Sequence, residues 1–157
     1  MGDSAESFED AYDSLRRSAH RVAYRLLGDR TAAEDIAAEA LARAYSRWSS
    51  VSGHARPWVV KVATNLALDI GRKRSVAANR RFELVEEERS LDNVEQRWDL
   101  REALRALPRR QREVVALRFL DDFSEQATAA ALGIDIGTVK SHASRGLSRL
   151  RTTVERV

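Results

Sequence analysis

FSEQATAAALGIDIGTVKSHASRGLSRLR, residues 123–151, is the stretch that decides the fold. Its apolar residues fall first at Ala127, Ala129, Ala131 and Leu132, then at Ile134, Ile136, Val139, Ala143, Leu147 and Leu150. From Ile136 onward they recur every three or four residues, which predicts a helix with one apolar face. Gly133 follows the first run, where a helix end needs a left-handed residue. Ser124 precedes that run and is suited to cap its free amides. Asp135 stands in the same relation to the second run and also suits the positive end of the helix dipole. The pattern predicts a short helix, a Gly-containing turn and a longer helix: a helix-turn-helix with the second helix as reader.

The expected outer face of that second helix carries Thr138, Lys140, Ser141, His142, Ser144, Arg145, Ser148 and Arg149. Lys and Arg donate to phosphates or guanine edges, while Ser and Thr suit either. Between Asp135 and Glu155 there is no carboxylate in the sequence, so nothing on the helix itself repels DNA.

Around this stretch the chain divides by charge. Its 157 residues carry a net charge of +3, with 32% charged and 43% hydrophobic residues. Residues 1–75 hold 12 basic and 10 acidic side chains, residues 76–102 hold 5 and 8, and residues 103–157 hold 10 and 6. Two mildly basic blocks flank an acidic middle. The length allows one ordinary domain or two small ones. With no cysteine, disulfides and thiolate metal sites are excluded. No apolar run approaches the roughly 20 residues of a membrane span, and the acidic start MGDSAESFED has no apolar signal core. A cytoplasmic protein without membrane insertion is expected.

The first block reads as helices throughout. Phe8 to Leu27 has apolar residues at helical spacing and ends at Gly28. Thr31 to Trp48 is the next, with Thr31 and Glu34 as a capping box. SSVSGHAR, residues 49–56, reads as a loop of small residues. Pro57 then suits the first turn of a helix to Arg74, which ends in the basic cluster Arg72, Lys73 and Arg74. Residues 76–92 read as an acidic tether with the run Glu86, Glu87, Glu88. Further helices are expected over residues 93–107 and 108–120. The predicted fold is all-α: two small helical domains, residues 1–75 and 93–157, joined by a flexible linker over residues 76–92.

The words GTVKSHASRGLSRLR resemble both region four of sigma factors and the output domain of LuxR-type regulators. The first block separates the two. AAEDIAAEALARAYSRW, followed by ARPWVVKVATNLALDIGRKR, resembles region two of the extracytoplasmic-function (ECF) sigma factors of bacterial RNA polymerase. Region two followed by region four, near this length, covers nearly the whole chain. A LuxR-type regulator usually carries a receiver or sensor domain instead, and a free-standing regulator of that kind is the alternative reading.

The resemblance implies an alternative sigma factor that binds core RNA polymerase and promoter DNA and is held inactive by an anti-sigma factor. It places Asp35 and Glu39, one helical turn apart, on the polymerase. It places Arg56, Lys61, Asn65, Arg72 and Lys73 at the −10 element, where flipped bases are captured and cations hold the strand. Asp69 is a poor DNA contact and is expected to pair with a neighbouring Arg. Thr138, Lys140, Ser141, Ser144 and Arg145 are placed at the −35 element. Trp48 and Trp58 flank the small-residue loop, more often as core than as base-stacking platforms. The linker would thread the polymerase cleft, its acidic run mimicking RNA. The chain departs from the family pattern at Ala38, where Gln is common, at Thr128, His142, Ala143 and Ser144. No catalytic constellation is found: His20, His54 and His142 lie in separate elements without metal-ligand spacing, and there is no Gly-rich phosphate loop. Neither an enzyme nor a cofactor is expected.

Overall fold

The computed structural model of the chain describes residues 5–81 and 91–155. Among them, every regular element is helical: α1 (Phe8–Leu27), α2 (Arg30–Ser46), the single turn α3 (Trp48–Val51), a 3-10 turn Ser52–His54, α4 (Ala55–Arg81), α5 (Leu91–Ala106), α6 (Arg109–Val115), a π-helical segment Ala116–Leu120, α7 (Glu125–Leu132) and α8 (Ile136–Glu155). The all-α expectation holds.

Several ends differ from those read in the sequence. α2 is capped by Asp29, whose Oδ1 accepts from the Ala32 amide at 3.1 Å, one step before the expected capping box. SSVSGHAR is not an open loop. Val51 is buried and Trp48 packs on the core, so the segment folds down as two short helical turns. α4 runs on to Arg81, past the expected end at Arg74, because VAANRR contains no helix breaker. The rest of the expected tether, residues 82–90 with Glu86 to Glu88, lies outside the described residues.

α1, α2 and α4 form the first half of the core. Leu15, Val22, Leu26, Ile36, Leu41, Val59 and Val60 fill it. Ala19, Ala23, Ala33, Ala40, Ala63 and Ala67 have no exposed surface, and side chains this small let the three helices approach closely. The second half is built by α5, α6, the π segment, α7 and α8. Leu104, Leu107, Val115, Leu117, Leu120, Phe123 and Leu150 belong to one apolar cluster with the residues of α1, α2 and α4. Only Val114, Ala129 and Val139 form a cluster of their own, beneath the α7–α8 turn. The two halves therefore share a core, beyond the tethered pair that the sequence pattern suggested. Joining the two halves removes further apolar surface from water.

Charge reinforces the junction. Asp121 has no exposed surface; its carboxylate lies 3.0 Å from Arg21 and 3.0 Å from Arg56, both of the first half. Arg101 of α5 donates to the Leu26 carbonyl at the end of α1, at 2.8 Å. Its stem lies against Gly71 of α4, where a Cβ would stand 2.4 Å from Arg101 Nε. Lys61 of α4 lies 3.5 Å from Glu113 of α6. Glu113 is also paired with Arg109 and Arg110, each at 3.0 Å. Burial pushes the Glu113 carboxyl up, but the Arg109 hydrogen bond and the charges of Lys61 and Arg110 outweigh it and hold it below its ordinary 4.5.

Gly133 stands at φ 65 with open space around the site of a Cβ, so Gly133→Ala is expected to cost about 1–2 kcal/mol through backbone strain alone, while Val139→Ala should cost about 2 kcal/mol through lost burial and a cavity; denaturant unfolding of both variants checks this. Because the folded-state acidity of Glu113 is raised, its contribution to stability is fully present above pH 4.5 and is lost as pH falls below that value. Glu113→Gln should flatten that part of the acid arm in a pH series of unfolding measurements, and an unchanged acid arm would contradict the assignment.

Candidate nucleic-acid interface

The reader helix is positioned by its own local chemistry. Ser124 is extended, at φ −66 and ψ 161, as Ser7 is before α1 at φ −72 and ψ 158, and its Oγ accepts from the Ala127 amide at 3.0 Å. Gly133 takes the left-handed conformation and donates to the Ala129 carbonyl, as does Ile134 at 3.1 Å. Asp135 Oδ1 accepts from the Thr138 amide at 2.7 Å, and this bond holds its carboxyl below the usual range. All three residues act as their positions in the sequence predict. α8 is then pinned by Val139, which is fully buried against Val114 and Ala129, and by Leu150. At Gly146 the helix rides directly over Val115, and a Cβ there would stand 2.7 Å from its Cγ2.

This leaves Lys140, Ser141, Ser144, Arg145, Ser148 and Arg149 exposed along α8. Thr138 is half-buried at the start of the helix, with its amide committed to Asp135. His142 is corrected: it is half-buried, and its Nδ1 is turned into the protein without a hydrogen-bond partner among the described residues. Ile136, expected on the buried face, is 39% exposed at the first turn. The sequence reading also missed Glu125. From the first turn of α7 it reaches Lys140 at 3.8 Å and Arg118 at 4.0 Å. The signal was available, since a Glu just after a capping Ser lies in the first turn of α7. Only the turn geometry shows that this first turn faces the start of α8.

The second set of expected DNA contacts lies on α4. Asn65, Arg72 and Lys73 are exposed, with Lys73 3.5 Å from Asp69, which thus pairs with a Lys rather than the expected Arg. Arg56 and Lys61 are placed differently. Both turn toward the second half: Arg56 to Asp121 and the Phe123 ring, with a further bond to Ser18 of α1, and Lys61 to Glu113. Between the halves runs a cleft of about 520 Å³, with His54, Trp58, Lys61 and Asn65 on one wall and Arg110 and Leu132 on the other. Trp58 lies half-buried in that wall. Trp48 is half-buried on the core and stacks edge-on with Phe8, their ring centres 5.4 Å apart. Asp35 and Glu39 are exposed on α2, with Glu39 2.9 Å from Arg43.

The described residues contain no group of three or more His, Asp or Glu side chains arranged to hold a metal ion. No helix among them is long and apolar enough to cross a membrane. What the site offers is a capped, rigid helix with donors on its free face, and a second helix with cations and an amide, in one chain.

Residues 11–76 match the model of sigma-70 region 2, and residues 97–150 match that of sigma-70 region 4. An RNA polymerase sigma-E factor of Streptomyces coelicolor is 36% identical over 96% of this chain and 87% of its own length. The ECF RNA polymerase sigma factor SigL of Mycobacterium tuberculosis is 31% identical over 92% of this chain and 86% of its own length. Among solved structures, the sigma factor RpoE of Bartonella quintana, crystallised with the anti-sigma factor NepR, shares the fold at 24% identity, with a TM-score of 0.52 over 94% of this chain and 96% of that one. Most of α8 thus falls in the region 4 match and most of α4 in the region 2 match, and the chain belongs to the sigma-70 family, as an alternative sigma factor of the ECF type.

Proposed function

We propose that this sigma factor reads the −35 element with α8 and the −10 element with α4, and docks on core RNA polymerase through α2. The observation that carries this reading is the free face of α8. Lys140 and Arg145 are exposed on a helix whose start is fixed by Asp135 and whose other side is packed on Val114 and Val115. A helix held this firmly presents its donors to the major groove without losing conformational freedom on binding. Lys140, Ser141, Ser144 and Arg145 contact base edges and Thr138 lies nearest the phosphates. Glu125 holds Lys140 only weakly, since both are partly exposed, so a base or phosphate displaces it.

Asn65, Arg72 and Lys73 line the free side of α4 and suit an unwound strand, with Arg56 and Lys61 joining them once they leave their acidic partners. Asp35 and Glu39 present exposed carboxylates on α2 for the polymerase. Family membership makes an anti-sigma protein the expected regulator. The polymerisation chemistry belongs to the polymerase, and this chain supplies promoter choice.

The test is run-off transcription with core polymerase on fragments of the source genome, where the chain should direct initiation at a defined set of promoters. Arg145→Ala should cost about 1–3 kcal/mol of discrimination at one −35 position, read as relaxed base preference in a promoter-variant series. Asp35→Ala with Glu39→Ala should weaken binding to core polymerase while leaving promoter preference intact. Folded protein that neither binds core polymerase nor directs initiation would refute the reading.

A further inference from the structure

Beside the donors of the reader helix stands one acceptor. Glu125, in the first turn of α7, holds its carboxylate between two cations: Oε1 lies 4.0 Å from Arg118 Nη2, and Oε2 lies 3.8 Å from Lys140 Nζ. The two cations differ. The Arg118 side chain is 25% exposed; its Nη1 donates to the Phe123 carbonyl, and its guanidinium carbon lies 5.5 Å from the centre of the Phe119 ring. The Lys140 side chain is 63% exposed, on the free face of α8. Glu125 thus has an anchored partner on one side and a mobile one on the other. Its backbone is fixed as well, since Ser124 Oγ accepts from the Ala127 amide at 3.0 Å and Thr128 Oγ1 donates to the Ser124 carbonyl at 2.8 Å.

Against a DNA duplex this carboxylate has few admissible partners. Ionised, it accepts and cannot donate. In the major groove the only donors are the amino groups of cytosine N4 and adenine N6. When Lys140 moves to a base edge, Glu125 Oε2 stays beside it, held by Arg118. A donor and an acceptor 3.8 Å apart match the middle of a G·C edge, where guanine O6 and cytosine N4 are bonded to each other at about 2.9 Å. The Lys140 ammonium has three protons and serves guanine N7 and O6, while Glu125 serves cytosine N4. All three polar groups of that edge are then satisfied. On an A·T pair Glu125 meets adenine N6, but thymine O4 is left facing the carboxylate without a donor. On a C·G pair the two side chains would have to exchange places.

Resting on the sigma-factor reading above, we propose that Glu125 is a specificity-determining residue of the −35 reader, accepting from the cytosine of the same G·C pair whose guanine Lys140 contacts. The reading surface therefore extends from α8 onto the start of α7. Arg118 is a positioning residue: it aims the carboxylate and offsets the repulsion between that charge and the phosphates.

The test is a scan of the −35 element by run-off transcription, with holoenzyme reconstituted from core polymerase and the full chain on a promoter it directs, each base pair being changed in turn. Glu125→Gln and Glu125→Ala should each relax the preference for G·C at one pair by about tenfold, in the range of one good base contact. Lys140→Ala should lose preference at that same pair, and adding Glu125→Ala to it should cost little more there, as expected of two side chains that read one pair. A carboxylate that only braced α7 against α8 would lower the melting temperature of the free chain when removed and leave the base profile unchanged. One that only repelled phosphates would give, on removal, a uniform gain over all promoter variants. Either of those results, or an effect at a pair other than the one Lys140 reads, would overturn the assignment. The unmodified holoenzyme separates this from the broader reading: initiation by it, with an unchanged base profile in the Glu125 variants, overturns the role of Glu125 alone, whereas no initiation from any promoter overturns the sigma-factor reading as well.

Discussion

A carboxylate with no access to water demands cations close by, and the placement of Asp121 governs how the second half of this molecule sits on the first. The demand is met from two helices at once, since Arg21 lies on α1 and Arg56 on α4. The π segment makes this geometry possible. Its wider turn carries the Asp121 amide to the Ala116 carbonyl at 3.1 Å and the Phe123 amide to that of Leu117 at 2.9 Å. The chain thereby turns toward α1 and α4 and delivers one charged and one aromatic side chain to the junction. The five residues of the π segment, ALRFL, thus link a local departure from α-helical pitch to the position of the whole second half.

The α7–α8 pair within it depends on very little material. Val114, Ala129 and Val139 form the buried apolar cluster beneath the α7–α8 turn, whereas the first half locks three helices with a lattice of alanines and branched side chains. The contrast suits the two tasks. The first half is a rigid platform. The turn needs only to hold α8 at a fixed angle to α7, and caps at Ser124, Gly133 and Asp135 do most of that work within the chain itself.

How far the sequence could be read follows from the range of each interaction. Ser124, Gly133 and Asp135 act on neighbours within four residues, so their roles were legible, as was the all-helical character. The shared core was not, because the apolar spacing of α5 and α6 says which face is buried but not against what. Asp121 is the clearest case: in FLDDFS it reads as half of an exposed acidic turn, and only a pairing 100 residues away with Arg21 shows otherwise. Arg56 and Lys61 were assigned by family position as free cations, and the junction turns both toward carboxylates. Ile136 fitted the apolar period yet lies 39% exposed at the first turn of α8. The end of α4 was misplaced for a simpler reason: a basic cluster favours a helix end, but nothing after Arg74 forces one.

Asp122 carries a consequence for the history of the chain. It holds φ 57, a conformation that glycine would adopt without strain, and it meets Arg25 with its side chain. Backbone ease and charge therefore select opposite residues at one codon. Lineages in which the two halves profit from staying together should retain the acid despite its conformational cost, and lineages relieved of that pressure should drift to glycine. The residue at this single turn becomes a marker, readable across descendants, of how strongly the contact between α1 and the turn is under selection.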